Sequence, residues 1–138
     1  MNIRLLSIGI ISFVILLSSS CEKKEEEVFL TPYAKIKGTW KIESTQAFGY
    51  TFPGDGSLLT FDDCSSAPCS GNDYLASNKT SGNFSYTFAF DQKSITIVDN
   101  SGDGGAYNGK WDIISFENNK LKITSQTILG QMTIELNK

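Results

Sequence analysis

The sequence predicts an all-β domain, folded as an antiparallel up-and-down barrel of about eight strands. From residue 36 onward, short segments alternate apolar and polar residues, and Gly, Asn, Asp and Ser separate them. This period of two is typical of half-buried strands, and no long window shows helical spacing. The segments recur at regular intervals with turn residues between them, as in sandwiches and barrels. Closure into a barrel would remove the exposed edges of the sheet.

Each predicted strand lies between residues suited to turns. In the first, Trp40 and Ile42 share one face while Lys41 and Glu43 share the other. Hairpin turns are predicted wherever Gly, Asp or Asn residues interrupt the alternation, which favours antiparallel pairing of consecutive strands. The predicted strands are residues 38–44, 58–61, 74–76, 84–90, 95–98, 111–116, 121–124 and 132–136.

The fourth predicted strand has the strongest alternation and supplies the candidate ligand site. Phe84, Tyr86, Phe88 and Phe90 occupy every second position, so all four rings are predicted on one face. An eight-stranded barrel is wide enough for side chains or one small ligand. The sequence leaves both alternatives open: the rings line an apolar pocket, or they fill the core. The residues predicted to line a ligand site are Trp40, Phe61, Phe84, Tyr86, Phe88, Phe90, Ile113 and Met132.

The N-terminal residues have the pattern of an export signal. Arg4 supplies positive charge, residues 5–17 are almost wholly apolar, and three serines precede Cys21. The apolar run is shorter than the ~20 residues needed to span a bilayer, whereas it fits a cleaved signal. The segment resembles a bacterial lipoprotein signal, which implies lipidation of Cys21 with chains such as palmitate. The alternative is an ordinary signal peptide with a chance cysteine.

These features divide the chain into three parts. Residues 1–20 are predicted to be a removed signal peptide, residues 21–35 a lipidated cysteine with a charged linker, and residues 36–138 the barrel domain. Within the linker, residues 24–26 (Lys-Glu-Glu) resemble the tether that sends some lipoproteins to the outer leaflet of the outer membrane. A solvated linker is the simpler interpretation of the same charges. The predicted location is the outer membrane, with exposure on the cell surface left open.

The three cysteines fit an exported lipoprotein. If Cys21 carries lipid, Cys64 and Cys69 remain as a pair in an oxidising compartment. Four intervening residues allow the two sulfurs to meet, so a disulfide is predicted. Two cysteines without histidine are too few for a structural zinc site, and no metal site is predicted here.

Composition argues against several classes of function. The formal charge is −3 and basic residues form no cluster, so nucleic acid binding is not expected. Histidine is absent, which removes the commonest general base and makes a Ser-His-Asp or Cys-His centre impossible within the chain. No pair of acidic residues is marked out for catalysis. The sequence therefore predicts neither an enzyme nor a cofactor.

Residues 99–104 match the first half of a calcium loop. Asp99, Ser101 and Asp103 would supply oxygens at positions one, three and five, with glycine at position six. The twelfth position is Lys110, where such a loop needs a bidentate glutamate. A flexible glycine-rich connection is the favoured interpretation.

Several short motifs in strand order resemble a known family. Gly38–Trp40 opens the first strand, and residues 111–114 and 121–123 form a later hairpin with an Asn-rich turn. Together they resemble the lipocalin-like domain of bacterial lipoproteins, over residues 36–136. The resemblance implies a cation packed over the tryptophan near the chain end, where this chain offers Lys138 instead of arginine.

Two classes of function are therefore predicted for the mature protein. The first is a membrane-anchored lipoprotein that binds a small apolar ligand or a surface partner. The second is an inhibitor of a protease or other enzyme that uses the Cys64–Cys69 loop as a rigid wedge, or a purely structural envelope protein.

Overall fold

The structure, a computed structural model, describes residues 31–101 and 105–138. Within these ranges it contains one short helix and nine strands. The helix α1 is Pro32–Ile36, and the strands are β1 Gly38–Ala47, β2 Tyr50–Pro53, β3 Leu58–Phe61, β4 Cys69–Leu75, β5 Thr80–Phe88, β6 Ser94–Asp99, β7 Gly109–Glu117, β8 Lys120–Thr127 and β9 Gly130–Asn137. In the described ranges, no helix is long and apolar enough to cross a membrane.

Eight of the strands form a closed antiparallel barrel. Consecutive strands from β3 to β9 pair with one another, and β1 pairs with both β3 and β9. The predicted fold class is confirmed. The one strand outside these eight, β2, was not predicted. It pairs with the second half of β1, on the same side on which the first half of β1 pairs with β3.

Gly54 makes this arrangement possible. Its amide donates to the Glu43 carbonyl oxygen at 2.7 Å, where β1 bulges between Ile42 and Ser44. A Cβ added to Gly54 would lie 1.9 Å from the Ile42 carbonyl oxygen, so only glycine allows so close an approach. The chain can therefore leave β2, pass close to β1 and join the barrel again as β3.

The core contains the inward-facing residues of the alternating strands. Trp40, Leu59, Phe61 and Trp111 are almost fully buried, as the alternation predicts. A second bulge, between Ile113 and Ser115 in β7, exposes the apolar Ile114. The buried apolar residues are Ile36, Trp40, Ile42, Leu59, Phe61, Cys69, Phe84, Tyr86, Phe88, Ile95, Ile97, Tyr107, Trp111, Leu121, Ile123, Ile134 and Leu136.

The antiparallel order gives the barrel two distinct ends. We call one the helix end: it contains α1, the β3–β4 loop, the β5–β6 and β7–β8 turns and residue 138. We call the other the hairpin end: it contains the β1–β2 hairpin, the β4–β5 turn, the β6–β7 connection and the β8–β9 turn. The described chain enters at the helix end.

Two predictions about the barrel are wrong. Phe90 was predicted on the inward face with Phe84, but β5 ends at Phe88 and Phe90 is fully exposed in the turn that follows. The alternation stops because the Ala89 amide donates to Ser94 and the chain reverses there. Residues 32–35 were predicted as the end of the linker, yet they form α1 together with Ile36, the first residue of the predicted barrel domain, which is completely buried.

Candidate functional site

Aromatic rings that contact one another occupy the barrel interior. The Phe61 ring lies edge-on to Tyr86 and to Phe84, with centroid distances of 5.0 and 5.4 Å. Tyr86 also contacts Phe88 at 6.4 Å, and Tyr33 of α1 lies edge-on to Phe88 at 5.0 Å. These distances are those of packed aromatic pairs, so the rings predicted to line a ligand site fill this part of the interior.

Two buried tryptophans close the ends of the barrel in the same way. The indole N–H of Trp40 donates to the carbonyl oxygen of Ile36, four residues earlier, at 2.6 Å. The indole N–H of Trp111 donates to the carbonyl oxygen of Tyr107, also four residues earlier, at 2.7 Å. Because β1 and β7 run in opposite directions, the two bonds fasten closing segments at opposite ends. Lys138 Nζ lies 5.4 Å from the Trp40 ring centroid, at the place where the lipocalin-like resemblance implies an arginine.

The disulfide lies at the helix end. Cys64 and Cys69 are bonded, as predicted, with their Cα atoms 5.4 Å apart in the β3–β4 loop. Asp63 in this loop forms an ion pair of 2.7 Å with Lys37, and the Asp62 carbonyl oxygen accepts a bond from the Tyr86 hydroxyl at 3.1 Å. The loop is therefore fastened to the barrel next to the point where the chain enters.

Burial of Tyr86 makes the stability of the fold depend on pH. Burial, followed by the charge of Asp62, raises the pKa of the Tyr86 hydroxyl to about 12. In the unfolded chain the value is ~10, so folding favours the protonated form. This contribution to stability is present below pH ~10 and is lost as the pH rises toward the folded value. Urea unfolding should show this decline, and the decline should be smaller in Tyr86→Phe. Equal pH profiles for the two proteins would contradict the assignment.

The hairpin end, in contrast, exposes apolar side chains. Phe48 and Tyr50 of the β1–β2 hairpin are 61% and 70% exposed, and Phe52 is 50% exposed. In the neighbouring β8–β9 turn, Ile128 is fully exposed and Leu129 is 68% exposed. A groove of about 370 Å³ lies between the two hairpins, with Phe48 and Leu129 among its lining residues. Clustered apolar side chains of this kind mark interaction surfaces.

Phe48 has an unfavourable backbone conformation at the tip of this hairpin. The two turn residues, Phe48 and Gly49, have φ values of 55° and 78°. Such left-handed pairs fit the twist of a two-residue hairpin and favour Asn or Gly. In a bulky residue the left-handed conformation is rare and costs about 1–2 kcal/mol. Phe48 therefore combines an unfavourable backbone conformation with a largely exposed aromatic side chain.

A second groove lies beneath β2 at the mouth of the barrel, and we call it the mouth groove. It has a volume of about 300 Å³. Phe52 and Pro53 of β2 form one wall, and Leu75 at the end of β4 and Tyr107 form the other. The remaining lining residues are Ile42, Thr45, Gly54, Asp55 and Ser57.

The polar groups of the mouth groove make it acidic. Hydrogen bonds from Ser57, its side chain first and its amide second, hold the pKa of Asp55 below its usual value. The Ser57 amide lies 2.9 Å from Asp55 Oδ1. Burial, followed by the charges of Asp55 and Asp73, raises the pKa of the Tyr107 hydroxyl above its usual value. At neutral pH the groove therefore has a carboxylate at its rim and a neutral phenol in its wall.

The structure separates the predicted site residues into four groups. Phe61, Phe84, Tyr86 and Phe88 meet in the interior, and Trp40 packs at the helix end. Ile113 and Met132 are partly buried against the core, whereas Phe90 lies outside. The hairpin-end residues were not predicted as a site. One signal was present: two charge-free stretches, residues 44–54 and 123–134, contain most of them.

Two predictions fall wholly or partly outside the described residues. The lipidated Cys21 and the signal peptide lie there, as do residues 102–104 of the calcium-like loop. In the described part of that loop, Asp99 Oδ2 accepts a hydrogen bond from Gly105 N at 2.8 Å, and Oδ1 accepts bonds from Ser101. The described residues contain no group of three or more His, Cys, Asp or Glu side chains suited to a metal ion.

No protein-family model, curated protein or solved structure significantly matches this chain. The lipocalin-like resemblance therefore stays a prediction from the sequence. The geometry of the two barrel ends is the basis for assigning a function.

Proposed function

We propose that the protein is a lipid-anchored binding protein of the bacterial outer membrane, which contacts a partner protein through the hairpin end of its barrel. The observation that carries this proposal is the difference between the two ends of the barrel. The chain enters at the helix end, where α1, the disulfide loop and several ion pairs and hydrogen bonds lie close together. The exposed apolar residues cluster at the opposite end.

The position of the helix end suits an anchor. Nine residues, 22–30, would connect a lipidated Cys21 to Thr31, the first described residue. The helix end would then face the membrane, and the hairpin end would point away from it. Several acyl chains hold a protein stably at a bilayer without a spanning helix.

The composition of the hairpin end suits a protein partner. Interface cores are enriched in aromatic residues and depleted of charge. Residues 44–54 contain three exposed aromatic side chains and no charged residue. The helix end, in contrast, carries charged side chains, because Lys35, Lys37 and Asp63 all lie there. The apolar surface thus coincides with the part of the domain that an anchored protein would present outward.

The packed interior makes transport of a small ligand inside the barrel the weaker alternative. The central rings contact one another, so a ligand among them would have to displace side chains at a cost in packing. The inhibitor alternative also fits less well. The Cys64–Cys69 loop lies at the helix end, on the side that an anchored domain would turn toward the membrane.

Substitution of Phe48 by asparagine tests the proposal. Asparagine tolerates the left-handed conformation, so Phe48→Asn should raise the free energy of unfolding by about 0.5–1 kcal/mol. We expect the same substitution to weaken partner binding by at least about tenfold, since anchors in an interface core contribute that much or more. Unfolding is measured with urea, and binding is measured in cells that produce the full chain.

Binding is read by photo-crosslinking from two matched positions. A photoreactive residue replaces Gln131 at the hairpin end or Asn118 at the helix end, both of which are exposed. We expect a discrete crosslinked product from position 131 but not from position 118, and loss of that product with Phe48→Asn. If Phe48→Asn destabilises the fold and leaves the product unchanged, Phe48 serves folding alone and the proposal fails.

A further inference from the structure

We propose that the partner contributes an extended peptide segment, which pairs with the open edge of β2 as an added strand and places an apolar side chain in the mouth groove. This inference rests on the proposed function and specifies the chemistry of the partner. Addition of a strand to an exposed sheet edge is a general mode of peptide recognition.

The first observation is the unpaired edge of β2. This strand pairs with β1 on one side, through Tyr50–Ala47 to Pro53–Ser44, and lies at the end of the strand order among the described residues. All four residues of β2 are exposed. The strand β4 pairs with β3 and ends at Leu75, so an added strand beside β2 would occupy the wall directly beyond the end of β4.

The register identifies the backbone groups that are available. The two-residue turn at Phe48–Gly49 makes Ala47 and Tyr50 a hydrogen-bonded pair, and such pairs alternate along an antiparallel ladder. Phe52 therefore directs its N–H and C=O toward β1, while Thr51 directs both groups toward the open side. Pro53 has a carbonyl but no N–H. The edge can thus accept a short segment, centred on Thr51.

The second observation is the groove beside this edge. Phe52 lies on the face of β2 that covers the groove, with Leu75 and Tyr107 on the other side. Side chains of an added strand alternate between the two faces of the sheet, so every second one would point into the groove. The apolar part of its lining, Ile42, Phe52, Pro53 and Leu75, and its volume of about 300 Å³ suit one large apolar side chain.

Charge limits the sequence of the partner segment. Residues 44–54 carry no charge, so the edge offers no ion-pair partner along its length. At the rim of the groove, the pKa of Asp55 is held below its usual value, and the side chain is therefore a carboxylate at neutral pH. An acidic residue opposite Asp55 would be repelled. The fitting segment alternates apolar and neutral residues and bears a neutral or basic residue near Asp55.

A second copy of this chain fits the same edge less well. Two β2 strands could pair antiparallel about a two-fold axis through Thr51, because both copies offer the same groups there. This arrangement reverses the direction of one barrel, so the two helix ends would point in opposite directions. Two copies anchored in one membrane could not adopt it, whereas a segment from a different protein has no such constraint.

The test uses the full-length lipidated protein in detergent micelles and a displayed library of random peptides of about twelve residues, long enough for one added strand. We expect selected peptides to alternate apolar residues and to lack Asp and Glu. A synthetic copy of the most enriched peptide should bind Thr51→Pro at least about tenfold more weakly, a loss of ~1.4 kcal/mol. Proline is tolerated at an edge position whose N–H faces solvent, so the fold should persist. Thr51→Val keeps the N–H and should bind as the wild type does.

A modified peptide provides a second measurement that does not depend on the stability of a variant. Methylation of alternate backbone amides of the selected peptide should abolish binding when the methylated N–H groups face β2, and should preserve it when they face away. Failure to enrich any peptide, or binding that survives both Thr51→Pro and methylation, would overturn strand addition. A wild-type dimer that Thr51→Pro dissociates would overturn it in favour of a second copy. In each case the crosslink from position 131 is measured separately. If it forms and is lost in Phe48→Asn, the proposed function stands although strand addition fails.

Discussion

Replacement of Trp40 by alanine is expected to lower the free energy of unfolding by about 3–5 kcal/mol, which is a large part of the stability of a domain of this size. The indole is completely buried at the helix end, lies edge-on to Phe116 at a centroid distance of 5.9 Å, and donates to the Ile36 carbonyl oxygen. Truncation would leave a cavity and a buried carbonyl oxygen without its partner. It would also release α1, which the Trp40–Ile36 bond holds against the barrel.

Phe90→Ala is the matched control for this prediction. Phe90 is also aromatic and belongs to the same sequence pattern as the buried rings, but it is fully exposed. Its truncation should change the free energy of unfolding by less than about 0.5 kcal/mol, as is usual for surface residues. Urea unfolding followed by tryptophan fluorescence measures both variants; in Trp40→Ala the signal comes from Trp111 alone. A Trp40→Ala protein within about 1 kcal/mol of the wild type would show that the helix end is not closed as described.

The comparison of Phe88 with Phe90 shows what alternation can and cannot predict. The period-two pattern continues through both residues in the sequence, because alternation records the faces of a strand and not its end. The end is determined by the turn, in which Gln92 takes a positive φ of 58° and its amide donates to the Ala89 carbonyl. The turn from Ala89 to Gln92 therefore begins before the apolar–polar alternation of the sequence ends.

The unpredicted β2 has a related explanation. Its four residues are all exposed, so they show no alternation between buried and exposed positions. Its pairing depends on a turn of Phe48 and Gly49, a combination that hairpin rules do not favour. The interior rings could be predicted because burial imposes a pattern on the sequence. The hairpin end could not, because its apolar side chains are exposed and no core imposes a pattern on them.

The helix α1 was missed for a different reason. At five residues it is too short to show helical periodicity, and it lies beside a charged segment that favours a linker. Pro32 in the first turn was the available signal, since proline is tolerated at that position. Tertiary contacts stabilise this helix, because Tyr33 packs against Phe88 and accepts a hydrogen bond from the Phe88 amide at 3.1 Å.

Replacement of Cys21 by serine is expected to abolish lipidation completely, because serine has no thiol for the acyl group. In cells supplied with labelled palmitate, the wild type should carry label and separate into the detergent phase. Cys21→Ser should carry no label, and its leader should remain uncleaved, which gives a longer product. Ser20→Ala is the matched control, since it keeps a small residue before the cysteine and should be labelled as the wild type is.

The outcome of this experiment also shows whether a membrane anchor orients the two ends of the barrel. If the wild type is labelled, the helix end is tied to a membrane through the segment that precedes Thr31, and the apolar residues around Phe48 face away from it. If the wild type is cleaved but unlabelled, Cys21 belongs to an ordinary secreted chain and both ends are free in solution. The hairpin end would keep its exposed aromatic residues in that case, and the packed interior would be unchanged. The proposed anchoring therefore depends on Cys21, whereas the proposed binding surface depends on the fold of the barrel.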